Sequence, residues 1–130
     1  MAFEGPMICD GSRAAGGDLS SSQYKFVKLN SSGQVVSIAA NTDIPYGILQ
    51  NAPASGGQAT VALCGVSKVQ GDADLAKGNV IGTSADGQAA AYANGTDTTK
   101  YIVGHVLEDN SAAGGLATVA FSCLTPNRGA

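Results

Sequence analysis

A single histidine, His105, two aspartates two apart, Asp72 and Asp74, an adjacent acidic pair, Glu108 and Asp109, and three scattered cysteines, Cys9, Cys64 and Cys123, are the residues with which this 130-residue chain could do chemistry. Any Ser-His-Asp, Cys-His or histidine-metal scheme rests on His105. It lies inside the apolar run "IVGHVLE", with no acid fixed beside it by a motif. A small hydrolase would have to pair it with Asp97 or Glu108, and the residue reads as part of a strand instead. Asp72 and Asp74 begin like a calcium loop, but the turn glycine and the distal bidentate glutamate do not follow. They read as a solvated turn with a helix cap. Glu108 and Asp109 read as a solvated rim, because glycoside hydrolysis needs a second carboxylate across a cleft and the chain offers few aromatic platforms for a sugar. The cysteines form no C-x-x-C pair and are odd in number, unlike a disulfide framework or a zinc site. Cys64 and Cys123 each close an alternating apolar run, where a thiol packs as a small hydrophobe. No G-x-G-x-x-G and no P-loop lysine appears. No catalytic residue, cofactor-binding residue or metal ligand is therefore assigned, no cofactor is expected, and the chain reads as a protein that is not an enzyme.

The elements that must carry these residues are built from small side chains. Trp is absent, Gly numbers 18 and the net charge is −3. The basic residues Arg13, Lys25, Lys28, Lys68, Lys77, Lys100 and Arg128 are spread along the chain, so no patch for nucleic acid is legible. No apolar run approaches the ~20 residues that span a bilayer, and the start "MAFEGPMICDGS" lacks the charged head and apolar stretch of a secretory leader. These features predict a soluble protein made in the cytoplasm. Each buried Val or Leu contributes roughly 1.5–3 kcal/mol, so a core of small residues is thin. Burial against other subunits would supplement it, which points to assembly.

Hydrophobicity alternates with period two wherever it is clear. In "ATVALCGVSKV", Val61 and Leu63 point one way, Thr60, Ala62 and Cys64 the other; in "LATVAFSC", Leu116, Thr118, Ala120 and Ser122 alternate with Ala117, Val119, Phe121 and Cys123. These patterns predict strands. Ser32-Gly33, Asp86-Gly87 and Asn94-Gly95 predict tight turns, and Gly56-Gly57 and Gly114-Gly115 precede the last strand of each half. The chain also repeats. "FVKLNSSGQVVSIAANTDIPYGILQNAPASGGQATVALC" aligns with "VIGTSADGQAAAYANGTDTTKYIVGHVLEDNSAAGGLATVAFS", with Gly33 matching Gly87, Gly47 matching Gly104 and Thr60 matching Thr118. Two repeats are too few for a solenoid and suit one closed or nearly closed barrel. The prediction is an all-β small barrel or sandwich of two similar halves, about residues 26–65 and 80–123, within one domain spanning 17–130. Asp72–Ala76 is predicted to form a helical turn, with one or two such turns at most. Residues 1–16, with Pro6 and several glycines, read as an extended arm.

The strings "AAGGDLSSSQYKFVKLNSSGQVV", "DIPYGILQNAPASGGQATVALCGVSKV", "ADLAKGNVIGTSADGQAAAY" and "IVGHVLEDNSAAGGLATVAF", in that order over about residues 14–122, resemble the small capsid cement, or decoration, proteins of tailed bacteriophages. The resemblance implies a virion protein, a homotrimer bound to the outer surface of the expanded head, whose partners are the major capsid protein and itself and which stabilises the capsid lattice. Nucleic acid and membrane are not among its partners. The family has no catalytic residues to carry over, and the arm "MAFEGPMICDGS" departs from it. The alternative is a β-barrel module of another virion part, such as a head-fibre or tail base. Capsid or subunit contacts are expected from Phe3, Met7 and Ile8 on the arm, with the arm gaining order on the capsid or a neighbouring subunit. Asn51, Pro53, Glu108 and Asn110 in the two polar loops are the next candidates.

Overall fold

The computed structural model describes residues 2–93, 96–97, 99–110, 112–125 and 127–128; the predicted Asn94-Gly95 turn lies outside them. Among the described residues there is no helix, and nine strands form one curled antiparallel sheet, a half-barrel. They are β1 (Met7–Ala14), β2 (Phe26–Leu29), β3 (Val35–Ser37), β4 (Gly47–Leu49), β5 (Gln58–Gln70), β6 (Val80–Thr83), β7 (Ala89–Ala91), β9 (Gly104–Glu108) and β10 (Leu116–Ser122). Two short strands, β8 (Tyr101–Ile102) and β11 (Asn127–Arg128), pair apart from it. The strand order β3-β2-β4-β5-β10-β9-β6-β7 gives the repeat its geometry. β2, β3, β4 and β5 correspond to β6, β7, β9 and β10, and the order reads the same from either end about the β5/β10 seam.

The hydrogen bonds repeat with the strands. Gly33 (φ 77°) and Gly87 (φ 89°) close the β2-β3 and β6-β7 hairpins in the left-handed region that glycine tolerates. Tyr46 N donates to Val27 O and Val103 N to Ile81 O; Leu49 N donates to Lys25 O and Val106 N to Asn79 O. The correspondence reaches upstream of residue 26, since Ala15 N donates to Gly57 O and Gly71 N to Gly115 O. Tyr24 N donates to Leu49 O as Gly78 N does to Val106 O. Gly78 has φ 84°, and Tyr24, the one non-glycine with positive φ among the described residues, has φ 64°. Two backbone bonds, its own N–H to Leu49 O and Gln70 N–H to its carbonyl, both 2.7 Å, hold Tyr24 in a conformation that costs a side-chain-bearing residue energy.

The predicted alternation holds for the inner face of β10, while on its other face Thr118 is also buried, bonded to Phe3 of the arm. Ala117, Val119, Phe121 and Cys123 are buried, while Val61 faces one core cluster and Ala62 the other. The main cluster joins the halves, with Phe26, Ile48 and Ala62 from the first and Leu75, Ile81, Val103, Val106, Val119 and Phe121 from the second. A smaller cluster lies within the first half, from Ala15, Leu19, Val27, Val35, Leu49, Ala59 and Val61. Asp72–Ala76 is a loop rather than the predicted helical turn. Leu75 N is bound by Asn110 Oδ1 at 2.8 Å, so the amide that an aspartate cap would have held is taken from across the fold.

Candidate functional site

The arm finds its hydrogen-bonding partner within its own chain. β5 is 13 residues long; β10 pairs with its Cys64–Gln70 stretch and β1 with its Gln58–Gly65 stretch, from Met7 opposite Gly65 to Ala14 opposite Gln58. Ahead of β1 the segment bonds to Val66 of β5 and reaches Thr118 of β10. Phe3 N donates to Thr118 Oγ1 at 2.6 Å, and that hydroxyl donates to Phe3 O at 2.9 Å. Gly5 N donates to Val66 O at 3.0 Å, and Glu4 stands 3.9 Å from Lys68. Met7 packs against the main core, whereas Phe3 and Ile8 are 45% and 60% exposed.

A polar knot ties β1 to the first half. Asp10 Oδ1 accepts from Ser12 Oγ at 2.6 Å and Ser12 N at 3.0 Å, and Tyr46 OH donates to Asp10 Oδ2. Arg13 approaches the same carboxylate at 3.6 Å, stacks 5.8 Å over the Tyr46 ring and donates to Gly33 O at 2.9 Å. The Ser12 hydroxyl first, then Tyr46, hold the Asp10 carboxyl down to about 2, and burial followed by Asp10 pushes the Tyr46 phenol up. Because the folded value lies below the ordinary value of about 3.9, the knot contributes fully above that pH and is lost as pH falls towards 2. Tyr46→Phe is expected to raise the Asp10 pKa towards its ordinary value and to speed amide exchange in β1 relative to β10. An NMR titration in which Asp10 keeps its wild-type midpoint in the variant would refute the role given to Tyr46.

The other expected contact residues divide. Asn51 closes its own loop, accepting from Thr60 N at 3.0 Å and donating to Gln58 O at 2.9 Å. Pro53 is buried, and its carbonyl accepts from Leu19 N at 2.9 Å. Asn110 is 4% exposed and bonded to the 73–75 loop and its own hairpin. Glu108 is half-buried, 3.4 Å from Lys77. The side chains of Asn51, Pro53 and Asn110 thus shape the loops, and Phe3 and Ile8 are the ones turned outward. The fold brings Phe3 to Thr118, which lies opposite Glu108, and so joins the arm to one of the two expected loops.

Among the described residues no three His, Cys, Asp or Glu side chains gather as a metal site. His105 lies on β9 between Val80 and Ala120 and is exposed; Asp97 is engaged by Lys100 at 3.0 Å and by Ala93 N at 2.8 Å. Burial pushes the Cys123 thiol up to about 12, which keeps it a protonated packing group. Exposed apolar side chains that the sequence reading did not single out, Ile44 (53%), Val80 (42%) and Leu124 (56%), complete the surface. Ile44 and Leu124 line a groove of about 390 Å³ with Leu29, Pro45, Tyr46 and Cys123.

No protein-family model matches this chain, and no curated protein matches it. Solved structures do. The N base of head fiber gp8.5 of bacteriophage phi29 superimposes with a TM-score of 0.64 at 20% identity, covering 91% of this chain and 96% of that one. A chain of the capsid of Myoviridae phage XM1 superimposes with a TM-score of 0.67 at 16% identity, covering 94% and 88%. At these identities the likeness is one of fold.

Proposed function

We propose that this chain is a structural protein of a tailed-phage head, a homotrimer seated on the outer surface of the expanded shell, where it cements the lattice of the major capsid protein. The observation that carries the reading is the pair of fold matches, both to phage head structures and both spanning nearly the whole chain. The sequence resemblance to cement proteins and the outward-facing Phe3 and Ile8 support it. In this reading the protein is not an enzyme and acts through surface alone, its hydrogen-bonded strands serving as a rigid scaffold. Recombinant protein added to purified expanded heads is expected to co-sediment and to saturate at a fixed copy number, while unexpanded heads leave it in the supernatant. Protein that stays in the supernatant with expanded heads overturns the reading.

The match to a head-fibre base favours a second reading, in which the same domain anchors a fibre. An averaged map of decorated heads separates the two. Occupancy across the whole lattice supports cement, and sparse occupancy with density continuing outward supports a fibre base.

A further inference from the structure

The two halves do not bury the same faces. In the first half Phe26, Ile48 and Ala62 stand side by side across β2, β4 and β5. They are 1%, 0% and 0% exposed, because this row forms one cluster with Val103, Phe121 and their neighbours in the second half. The corresponding row of the second half is Val80, His105 and Ala120, across β6, β9 and β10. There Val80 is 42% exposed, His105 is exposed and Ala120 is only half-buried.

The surface that receives the row shows the opposite asymmetry. Val103 and Phe121, in the cluster with Phe26, are 4% and 6% exposed. By the repeat, their counterparts in the first half are Tyr46 and Leu63, both half-buried at the edge of the smaller cluster. Tyr46 lines the apolar groove with Ile44 and Leu124. One chain therefore carries a contact made once, inside it, and a second, partly exposed copy of each of the two surfaces that make it, with Tyr46 also held by Asp10 and Arg13 of β1.

We propose that these second copies meet between molecules: the Val80-His105-Ala120 row of one copy seats against the Tyr46 groove of the next, repeating the contact between halves. The occupant is a second copy of this chain because the complementary surface already exists on it, in the same fold. The two surfaces differ, so the contact is heterologous and propagates head to tail until a ring closes. This names the surfaces for the self-association put forward above and rests on that part of the reading, not on attachment to heads.

Sedimentation velocity on the full chain tests it without heads, so its outcome is separate from the co-sedimentation result. Wild type is expected to run as a closed oligomer. His105→Asp on the row and Ile44→Asp on the groove rim, both at exposed positions, should each weaken association by about tenfold or more, with the β circular dichroism spectrum unchanged. His105→Ile restores the residue found at Ile48 and should tighten it. Each aspartate variant is blocked on one surface only, so an equimolar mixture of the two should form heterodimers that grow no further. Val80→Lys and Leu124→Lys repeat the pair should either aspartate variant fail to fold. A monomeric wild type, variants with wild-type mass, or a mixture that stays monomeric would each overturn the proposal.

Discussion

Replacing Gly104 by alanine is expected to destabilise the fold by about 3 kcal/mol or more, the cost of overpacking where nothing soft can yield. A Cβ on Gly104 would run into the carbonyl oxygen of Ala120 and come within 2.8 Å of Phe121 Cα, both backbone atoms of the neighbouring strand. β9 and β10 could accept it only by moving apart, which breaks the ladder between them. Gly47 sits in the matching place, where a Cβ would meet the Ala62 carbonyl and lie 2.6 Å from Val61 Cγ1. Neither glycine has a positive φ, so the requirement is space and not conformation. Gly17→Ala is the control, since a Cβ there meets nothing within 4 Å, and it should be nearly neutral. Gly56→Ala separates the second kind of glycine. It also has open space but φ 81°, and should cost about 1 kcal/mol through backbone strain alone. Urea unfolding of the three variants measures the order. A Gly104→Ala midpoint matching that of Gly17→Ala would refute the close approach of β9 to β10.

These glycines also show what was legible beforehand. Gly47 and Gly104 stand at matching places in the two repeats, so aligning the chain with itself picked them out, as it did Gly33 with Gly87. Period-two alternation identified the inner face of β10 residue by residue, because a strand with one buried face writes its burial into its own sequence. Other features depend on partners far along the chain and leave no local pattern. The arm's pairing is set by the backbone that β5 offers from Gln58 to Val66, a property of the sheet that "MAFEGPMICDGS" does not display. The Asp72–Ala76 loop reads locally as a capped turn, and its course is decided by an asparagine 35 residues from Leu75. For position 24 the sequence does carry a signal, since the glycine at its repeat counterpart, position 78, marks a left-handed site. The open row at Val80, His105 and Ala120 was equally hidden. Comparing the halves gives Ile48 against His105, a polar substitution, but only the packing shows that one is covered and the other is not.

Asn110→Ala is expected to cost about 2–4 kcal/mol, although asparagine in a polar loop looks dispensable. The side chain is buried and its hydrogen-bonding capacity is used on both sides. Oδ1 accepts from Leu75 N at 2.8 Å, while Nδ2 donates to Ala73 O at 3.0 Å, Ala112 O at 2.8 Å and Gly115 O at 3.3 Å. Truncation leaves one amide and three carbonyls without these bonds. A buried group so stranded costs roughly 1–3 kcal/mol, and water entering the vacated space recovers part of the sum. The repeat supplies the contrast. In the first half the amide matching Leu75 N is Leu19 N, and it is held by the backbone carbonyl of Pro53 at 2.9 Å. Pro53→Ala keeps that carbonyl and should cost about 1 kcal/mol, mostly through lost packing and a more flexible unfolded chain. Asn110→Asp keeps the acceptor for Leu75 but turns a carboxylate oxygen towards three carbonyls, so it should be no milder than alanine at neutral pH. Urea midpoints of the three variants decide the matter, with hydrogen exchange at Leu75 reporting the lost bond directly. An Asn110→Ala protein as stable as Pro53→Ala, with the Leu75 amide still protected, would mean that the 73–75 loop is held by its apolar contacts and not by this side chain.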